Sequence, residues 1–289
     1  MSTTDHTAAT RSRKAVVSTA GFGSRFFPVS VAVNKSLLPI LNRPVIDYLV
    51  RELVAAGVHD IAFVTMPGDE QIRRYFEQSD WVKEYFSSRG WHSKYEPLAE
   101  LYDGLADVRF SWIEQPVDGK YGTAIPAMLA REWVGDSDWF LLSGDDVILR
   151  ADDGSDLADL AVAHAAADTD AAMQVTEVPW DRVSRYGVVK IREQNGVRLL
   201  DGAVEKPARD DAPSNLASIS RFLLSPDFFE ALDELKPDDN SGEYLSIAAL
   251  INYAQSHPVL VHTIAGEYHD CGQPNGWLQA NNAAARMIT

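Results

Sequence analysis

The stretch that decides the fold is KAVVSTAGFGSRFFP, residues 14–28, in which a short apolar run leads directly into a turn with two glycines. The apolar run is typical of a buried first strand, which we place at Ala15–Thr19. In open α/β sheets, ligands bind where such strands end, so the turn lies where a binding site is expected. The question is whether this turn is an ordinary connection or a loop that holds phosphates.

The spacing of the glycines argues against two common phosphate-binding motifs. A dinucleotide-binding turn needs a third glycine where this chain has Phe26, and the Gly-x4-Gly-Lys-Ser/Thr pattern is absent. The remaining pattern is Gly21-x-Gly23-Ser24-Arg25, in which the glycines let backbone N–H groups approach phosphate oxygens and the arginine adds a bidentate cation. On the glycines alone, an ordinary turn remains an equal alternative.

Strand-like and helix-like segments alternate along the chain. Apolar residues at helical spacing predict a helix over Pro44–Ala56, with Gly57 as its stop signal. Other helical patterns cover 68–105 (broken near Gly90), 122–134 and 274–288. Strand patterns cover 61–66, 108–113 and 138–146, and then, with longer and more alternating sequences, 171–178, 186–191 and 197–206. The alternation predicts an α/β fold with a mostly parallel sheet that is covered by helices and extended by added strands.

The composition limits the possible function classes. The 289 residues carry a formal net charge of −16, which repels nucleic acid and anionic lipid, so neither nucleic acid nor a membrane is an expected partner. Cys271 is the single cysteine, which excludes an intrachain disulfide and fits a reducing, cytoplasmic location. Residues 1–13 are polar and lack the apolar core of a secretory signal, so we expect a disordered tail followed by one domain over 14–289.

Acidic residues stand at two predicted turns. Asp145 and Asp146 end the strand at 138–146 and are either helix-capping residues or ligands of Mg²⁺, which prefers carboxylates completed by phosphates and water. Asp270 is a second candidate metal ligand, in a turn before the last helix. We interpret its neighbour His269 as structural.

Two lysines are candidate phosphate-binding cations. Lys35 follows Arg25 by ten residues, and both could converge on one polyphosphate. Lys206, next to Glu205 at a predicted strand end, could face a second phosphate. The alternative for each lysine is a solvated surface charge.

Together these stretches resemble the sugar-1-phosphate nucleotidylyltransferase family, and most closely its bacterial UTP–glucose-1-phosphate uridylyltransferase branch. The family loop Gly-x-Gly-(Thr/Ser)-Arg-x-x-Pro matches residues 21–28, and its Pro-Lys-x-Met-Leu-Pro element corresponds to NKSLLP at 34–39. Further motifs follow in the family's order: EQPVDGKYGTA (114–124), SGDD (143–146), RYGVVKI (185–191), VEKP (204–207), APSNLA (212–217) and HDCG (269–272). The likeness runs from about Lys14 to Ile288.

The resemblance implies a Rossmann-like, mostly parallel mixed sheet of the nucleotide-diphospho-sugar transferase type. Its nucleotide-binding half would cover about 14–150 and its sugar-binding half, a lobe of added strands, about 151–289. The family often forms dimers or tetramers, so we expect a homo-oligomer.

The resemblance also implies a reaction that depends on Mg²⁺. The phosphate of a hexose-1-phosphate, expected to be glucose-1-phosphate, attacks the α-phosphorus of UTP, and pyrophosphate leaves. The implied catalytic residues are Arg25, Lys35 and Lys206, and the implied metal ligands are Asp145 and Asp270. The implied nucleotide-binding residues are Ala20, Gly21, Gly23, Ser24, Gln115 and Gly122, and the implied sugar-binding residues are Gly187, Glu205 and Asn215.

Several positions depart from the family pattern. Ser24 keeps the hydroxyl of the usual threonine, whereas Ser36 replaces a glutamate. On the expected sugar side, Ser220 replaces a glycine, Leu245 a glutamine and Ala248 an aspartate. Two alternatives therefore stay open. One is the same chemistry with another substrate, such as dTTP or the 1-phosphate of glucosamine or galactose, and the other is a non-catalytic paralogue that binds nucleotide sugars.

Overall fold

The computed structural model describes residues 13–152 and 154–288. The strands are β1 (Arg13–Ser18), β2 (Pro39–Ile40), β3 (Arg43–Pro44), β4 (Asp60–Thr65), β5 (Arg109–Glu114), β6 (Asp138–Ser143), β7 (Asp146–Leu149), β8 (Ala171–Glu177), β9 (Gly187–Gln194), β10 (Val197–Glu205), β11 (Leu216–Leu224), β12 (Val259–Thr263) and β13 (Glu267–Asp270). The helices are α1 (Val45–Ala55), α2 (Gln71–Phe76), α3 (Asp80–Ser87), α4 (His92–Asp103), α5 (Ile125–Leu129), α6 (Arg131–Val134), α7 (Asp156–Ala167), α8 (Phe228–Asp233), α9 (Ser246–Tyr253) and α10 (Pro274–Met287). The predicted tail over 1–13 lies outside the described residues, except for Arg13, which begins β1.

One large sheet joins both halves of the chain, with strand order β5-β4-β1-β6-β11-β8-β12-β10-β9. Strands β11 and β10 run against their neighbours, and the other seven strands share one direction. This arrangement confirms the predicted mostly parallel mixed sheet. Two small antiparallel pairs, β2 with β3 and β7 with β13, lie outside it.

Both faces of the sheet are buried. Successive residues of a strand point to opposite faces, and in this sheet each face packs into a hydrophobic core. Val16 of β1 belongs to one hydrophobic core, whereas its neighbours Ala15 and Val17 belong to another. Strand β6 alternates in the same way, with Leu141 in the first core and Phe140 in the second. Near-continuous apolar strands are therefore required here, which is why the strand patterns in the first half of the sequence were informative.

Helix α1 shows how local sequence fixes an element. Pro44 precedes its first residue, and Gly57, at φ 77°, follows its end in a left-handed conformation that glycine adopts without strain. The apolar stripe that includes Leu49 and Leu53 is fully buried. This helix is confirmed to within one residue at each end. Among the described residues, no helix combines the length and the apolar character needed to cross a membrane.

Two predicted elements were wrong in their extent. The helix expected over 122–134 is two short helices, α5 and α6, because residues 121–124 pair with Tyr244 instead: Tyr244 N–H donates to the Tyr121 carbonyl at 2.9 Å, and Ala124 N–H donates to the Tyr244 carbonyl at 2.8 Å. The strand expected over 138–146 stops at Ser143. Gly144 and Asp145 form a turn, and Asp146 begins β7, opposite Asp270 of β13.

Candidate active site

The glycine loop follows β1, as the sequence predicts, and folds back on the residues after it. Gly23 has φ 62°, and its carbonyl accepts a 2.7 Å hydrogen bond from the Ser30 hydroxyl. A Cβ on Gly21 would lie 3.4 Å from Lys35 Nζ, so this backbone passes close to the lysine ammonium. Ala20 is buried, whereas the Ser24 and Arg25 side chains are exposed. The loop thus presents backbone groups and Lys35 on one side, with Arg25 facing solvent.

Lys35 is held against Asp145 of the turn after β6. The Lys35 ammonium forms an ion pair with Asp145 Oδ2, and the Ser143 hydroxyl donates to Asp145 Oδ1. Burial alone would raise the pKa of Asp145, but the Lys35 charge and these hydrogen bonds outweigh it and hold the pKa below its ordinary value. Asp145 is therefore ionised.

Asp270, at the end of β13, converges on the same point. An ideal Cβ on Gly272 would lie 2.3 Å from Asp145 Oδ2 and 3.0 Å from Asp270 Oδ1, so the lack of a side chain there leaves space between two carboxylates. Asp270 also accepts from the Gly272 N–H at 3.0 Å and from the Gln273 amide. We refer to Lys35, Asp145 and Asp270 as the carboxylate cluster.

The carboxylate cluster suits a hard divalent cation that keeps other ligands. Within 13–152 and 154–288, no three His, Cys, Asp or Glu side chains gather to hold a metal by themselves. Two carboxylates from the protein, completed by phosphate oxygens and water, are the usual donors for Mg²⁺. The residues present fit that ion.

Asp146 has a different environment from Asp145, although both are buried. Its Oδ1 accepts a 2.8 Å hydrogen bond from the Tyr268 hydroxyl. Burial, reinforced by repulsion from Asp145 and Asp270, raises the pKa of Asp146 to about 8. Asp145 is thus the acid that contacts Lys35, whereas Asp146 belongs to the β7–β13 pair.

The predicted base-binding residues flank the end of β5. Gln115 follows that strand directly, and its buried side-chain oxygen is an acceptor with no hydrogen-bond partner within the described part of the chain. Gly122 has φ 126°, and a Cβ there would lie 2.4 Å from the Tyr244 carbonyl oxygen. The need for glycine at 122 therefore has a cause within the protein, the backbone of Tyr244, which the sequence pattern did not reveal.

The predicted sugar-binding residues meet at the paired ends of β9, β10 and β11. Gly187 lies opposite Glu205, and a Cβ on this glycine would lie 2.7 Å from Glu205 Oε2. Asn215 directly precedes β11, and its side-chain amide donates to the Val178 carbonyl at 3.2 Å. Lys206 follows β10 at φ 45°, a left-handed conformation that is strained for lysine, and its ammonium lies 3.2 Å from Glu205 Oε1. These four residues form what we call the strand-end cluster.

A cavity next to the glycine loop includes residues that the sequence patterns did not single out. It has a volume of about 540 Å³ and is lined by the loop, by Asn34 and Lys35, and by the segment 66–71 after β4 with Arg74. The position of 66–71 at the carboxyl end of a parallel strand was the signal that could have identified it.

Three of the residues that depart from the family pattern, Ser36, Ser220 and Ala248, lie in different environments. Ser36 is fully buried next to Lys35, and its hydroxyl has no hydrogen-bond partner among the described residues. Ser220 lines a small cavity of about 40 Å³ with other hydroxyl residues that include Ser143. Ala248 packs against the large hydrophobic core. Ser220 thus shares a cavity with Ser143, whose hydroxyl donates to Asp145 of the carboxylate cluster.

Known proteins resemble this chain over almost its whole length. The family profile described as nucleotidyl transferase matches residues 14–286. The chain is 33% identical to a UTP–glucose-1-phosphate uridylyltransferase of Mycoplasma pneumoniae over 275 residues, which cover 93% of this chain and 91% of that protein. It is 32% identical to a protein of Methanocaldococcus jannaschii named as a putative enzyme of the same kind, with coverage of 93% and 92%.

Solved structures show the same relationship. An apo UDP-glucose pyrophosphorylase superposes with a TM-score of 0.87 at 29% identity, covering 96% of this chain and 100% of that one. A UDP-glucose pyrophosphorylase in complex with UDP-glucose gives a TM-score of 0.82, also at 29% identity, with coverage of 95% and 99%. Because the family profile spans nearly the whole chain and the relatives align over nine-tenths of it, this protein belongs to the nucleotidyl transferase family.

Proposed function

We propose that the protein transfers a uridylyl group from UTP to a hexose-1-phosphate, with glucose-1-phosphate as the preferred acceptor, and releases pyrophosphate. The observation that carries the proposal is the convergence of Lys35 with Asp145 and Asp270 beside the glycine loop. The names of the relatives and the UDP-glucose complex of a similar structure support the choice of substrates.

The chain's residues would act by positioning and charge. The glycine loop, with Ala20, Gly21, Gly23 and Ser24, would hold the triphosphate through backbone N–H groups. Arg25, exposed before substrate binds, would close on the departing pyrophosphate. Lys35 would lie between the triphosphate and the attacking phosphate. That attacking group is already an anion, so no general base is required.

Asp145 and Asp270 would hold Mg²⁺, which would supply charge neutralisation at the α-phosphate. The ionised state of Asp145, maintained by Lys35, and the open space over Gly272 support this assignment. The positive charges of Arg25, Lys35, Lys206 and the metal ion would together let a chain with a net charge of −16 bind two anionic substrates.

Substrate recognition would be divided between the two halves of the chain. We assign uracil recognition to Gln115, with Gly122 beside it, because the Gln115 side-chain oxygen is buried without a partner within the described residues. The strand-end cluster would bind the sugar: Glu205, Gly187 and Asn215 would face its hydroxyls, and Lys206 would hold its phosphate. In this proposal residues 14–150 bind nucleotide and 151–289 bind sugar, within one domain and in the cytoplasm.

A second acceptor sugar is favoured by one observation. The Ser220 hydroxyl stands where the family pattern has glycine and lines a cavity shared with Ser143. An added hydroxyl at that point can alter the choice among hexose-1-phosphates without affecting the phosphate chemistry. Galactose- and glucosamine-1-phosphate are therefore the alternative acceptors.

The test is pyrophosphate release measured in a grid of UTP, dTTP, CTP and ATP against a panel of hexose-1-phosphates, each with and without Mg²⁺. We expect the highest kcat/KM for UTP with glucose-1-phosphate, and no turnover without the metal. A maximum at another sugar would keep the mechanism and change the substrate. Tight nucleotide binding with no release in any combination would reject the proposal in favour of a non-catalytic binding protein.

A further inference from the structure

Asn34, the residue before Lys35, stands where the family element has proline. It is buried, with 8% of its surface exposed. Its backbone N–H donates to Gln71 Oε1 at 3.0 Å, and its side-chain oxygen accepts from the Ser36 N–H at 3.0 Å. Its Nδ2 donates to the Thr19 carbonyl at 3.2 Å and to Asp69 Oδ2 at 2.8 Å. Proline has neither a backbone N–H nor a side-chain amide, so it could form none of these four bonds.

The four bonds connect three segments of the chain. Thr19 directly follows β1, Asp69 and Gln71 follow β4, and Ser36 belongs to the 3-10 turn Lys35–Leu37. Asp69 is itself fixed, because its Oδ1 accepts from the Gln71 N–H at 3.0 Å. Asn34 therefore ties the turn that carries Lys35 to the carboxyl ends of two neighbouring parallel strands.

We propose that Asn34, supported by Asp69 and Gln71, is a positioning residue that places the Lys35 ammonium between the glycine loop and Asp145. The side chains of Lys35 and Asp145 are 19% and 9% exposed, so their pairing depends on the turn being held at the correct depth. Asn34, Lys35, Asp69 and Gln71 also line the 540 Å³ cavity, so the hydrogen-bond network borders the space that substrate would enter.

The catalytic consequence rests on the proposed function, whereas the positioning itself does not. A lysine on a four-carbon chain has many rotamers, and a displacement of about 1 Å from a productive geometry can reduce a rate by about a hundredfold. Loss of Asn34 should thus reduce kcat more than it changes the KM for either substrate, because Lys35 remains present but is no longer fixed.

The experiment measures Lys35 in two ways. Reductive methylation of the substrate-free protein, quantified by mass spectrometry, reports how firmly the ammonium is held, with the exposed Lys83 and Lys94 as internal references. Pyrophosphate release reports kcat and KM. For Asn34→Ala we expect Lys35 methylation to rise at least threefold relative to the references and kcat to fall about tenfold.

Ser155→Ala is the matched control, because Ser155 is also a buried capping residue, bonded to the Ala158 N–H at 3.1 Å, but caps α7. It should change neither readout. Asn34→Asp would place two carboxylates together and should increase Lys35 methylation further. The double variant Asn34→Asp/Asp69→Asn restores a donor and an acceptor between the two positions, and it should recover part of the protection.

Unchanged Lys35 methylation in Asn34→Ala, or an equal increase in Ser155→Ala, would overturn the proposal, as would an absence of recovery in the double variant. If the unmodified protein releases no pyrophosphate, the proposed function fails, but the methylation rates still decide whether Asn34 positions Lys35.

Discussion

The carboxylate cluster and the strand-end cluster both pair a lysine with acids, yet their environments differ. In the first, the side chains of Lys35 and Asp145 are mostly buried, and neighbouring hydroxyl and backbone groups fix the pair. In the second, the side chains of Lys206 and Glu205 are 64% and 71% exposed, and their ion pair is in contact with water. Charges attract strongly where water is excluded and only weakly at the surface.

The difference indicates two ways to build a phosphate site. The Lys35 and Asp145 side chains of the carboxylate cluster are already in contact before substrate arrives, so we expect this cluster to contribute pre-organised charge. The strand-end cluster has its backbone in place, including the strained φ of Lys206, but its lysine has to be drawn from water onto the substrate. We therefore expect changes to the first cluster to reduce kcat, and changes to the second to raise the KM for the sugar phosphate.

Asp145→Asn should produce the largest effect. Removing a buried charge at a pre-organised site typically costs a factor of about 10²–10³ in kcat. The asparagine also cannot serve as an anionic ligand, so the Mg²⁺ concentration needed for half-maximal activity should rise. Steady-state pyrophosphate release over a Mg²⁺ titration measures both. Asp152→Asn, at an exposed acid that pairs with Arg150, is the control. An unchanged Mg²⁺ requirement in Asp145→Asn would show that the cluster is not the metal site.

Asp146→Asn should change how stability depends on pH. The pKa of Asp146 is raised to about 8 in the folded, metal-free protein, whereas an unfolded chain has the ordinary value of about 4. Between these values the folded state binds the extra proton, so the free energy of unfolding falls as pH rises, by at most about 1.4 kcal/mol per pH unit. The asparagine side chain cannot titrate, so the variant should lose this slope.

Thermal unfolding of metal-free protein between pH 5 and pH 8 measures the slope. Asp152→Asn is again informative, because the Arg150 side chain lowers the pKa of Asp152 to about 2, outside this window. It should leave the slope intact. Equal slopes in the unmodified protein and in Asp146→Asn would contradict the prediction. They would mean that Asp146, like Asp145, is ionised in the folded protein between pH 5 and pH 8.

Lys206→Ala should have the next largest effect, on binding. A hydrogen bond to a charged group contributes about 1.5–3 kcal/mol, which corresponds to an increase of about tenfold to a hundredfold in the KM for the sugar phosphate. The KM for UTP should stay within about twofold. Lys190→Ala removes another exposed lysine, which pairs with Asp201 on the neighbouring strand, and it should change neither constant. A fall in kcat for Lys206→Ala with an unchanged KM for the sugar phosphate would contradict this prediction, because Lys206 would then act on the chemical step, as proposed for Lys35.

The sequence could predict features that depend on local patterns better than features that depend on contacts between distant residues. Strands β1, β4, β5 and β6 and the apolar stripe of α1 follow from periodicity, which is a local property, and the glycine loop follows from its position after β1. The sequence patterns included no strand at β11 or β12, which lie inside the sheet. The closeness of Asp145 and Asp270 could only be inferred from family motifs, since 125 positions separate them in the chain and their meeting depends on the β7–β13 pair.

Two features of the site were beyond the sequence patterns. The reason for glycine at 122 is the backbone of Tyr244, more than a hundred residues away, and no local pattern records such a contact. The same pairing replaced the first turn of the helix expected over 122–134. The different environments of Asp145 and Asp146 likewise arise from their partners Lys35 and Tyr268. Two adjacent aspartates look alike in the sequence, so no local pattern reveals which partner each has.

Ser220→Gly should produce the smallest effect of these four substitutions. Ser220 shares a small cavity with Ser143, whose hydroxyl donates to Asp145, yet it stands where the family pattern has a glycine near the sugar. If Ser220 tunes the choice of sugar, the variant should change the ratio of kcat/KM for glucose-1-phosphate over galactose-1-phosphate by a few-fold, below the roughly tenfold expected for one methylene-sized group.

Ser218→Gly, two positions earlier on β11, controls for the cost of glycine in a strand. An equal change in kcat for every sugar would place Ser220 with the carboxylate cluster, because it would then act through Ser143 and Asp145 on the common chemical step.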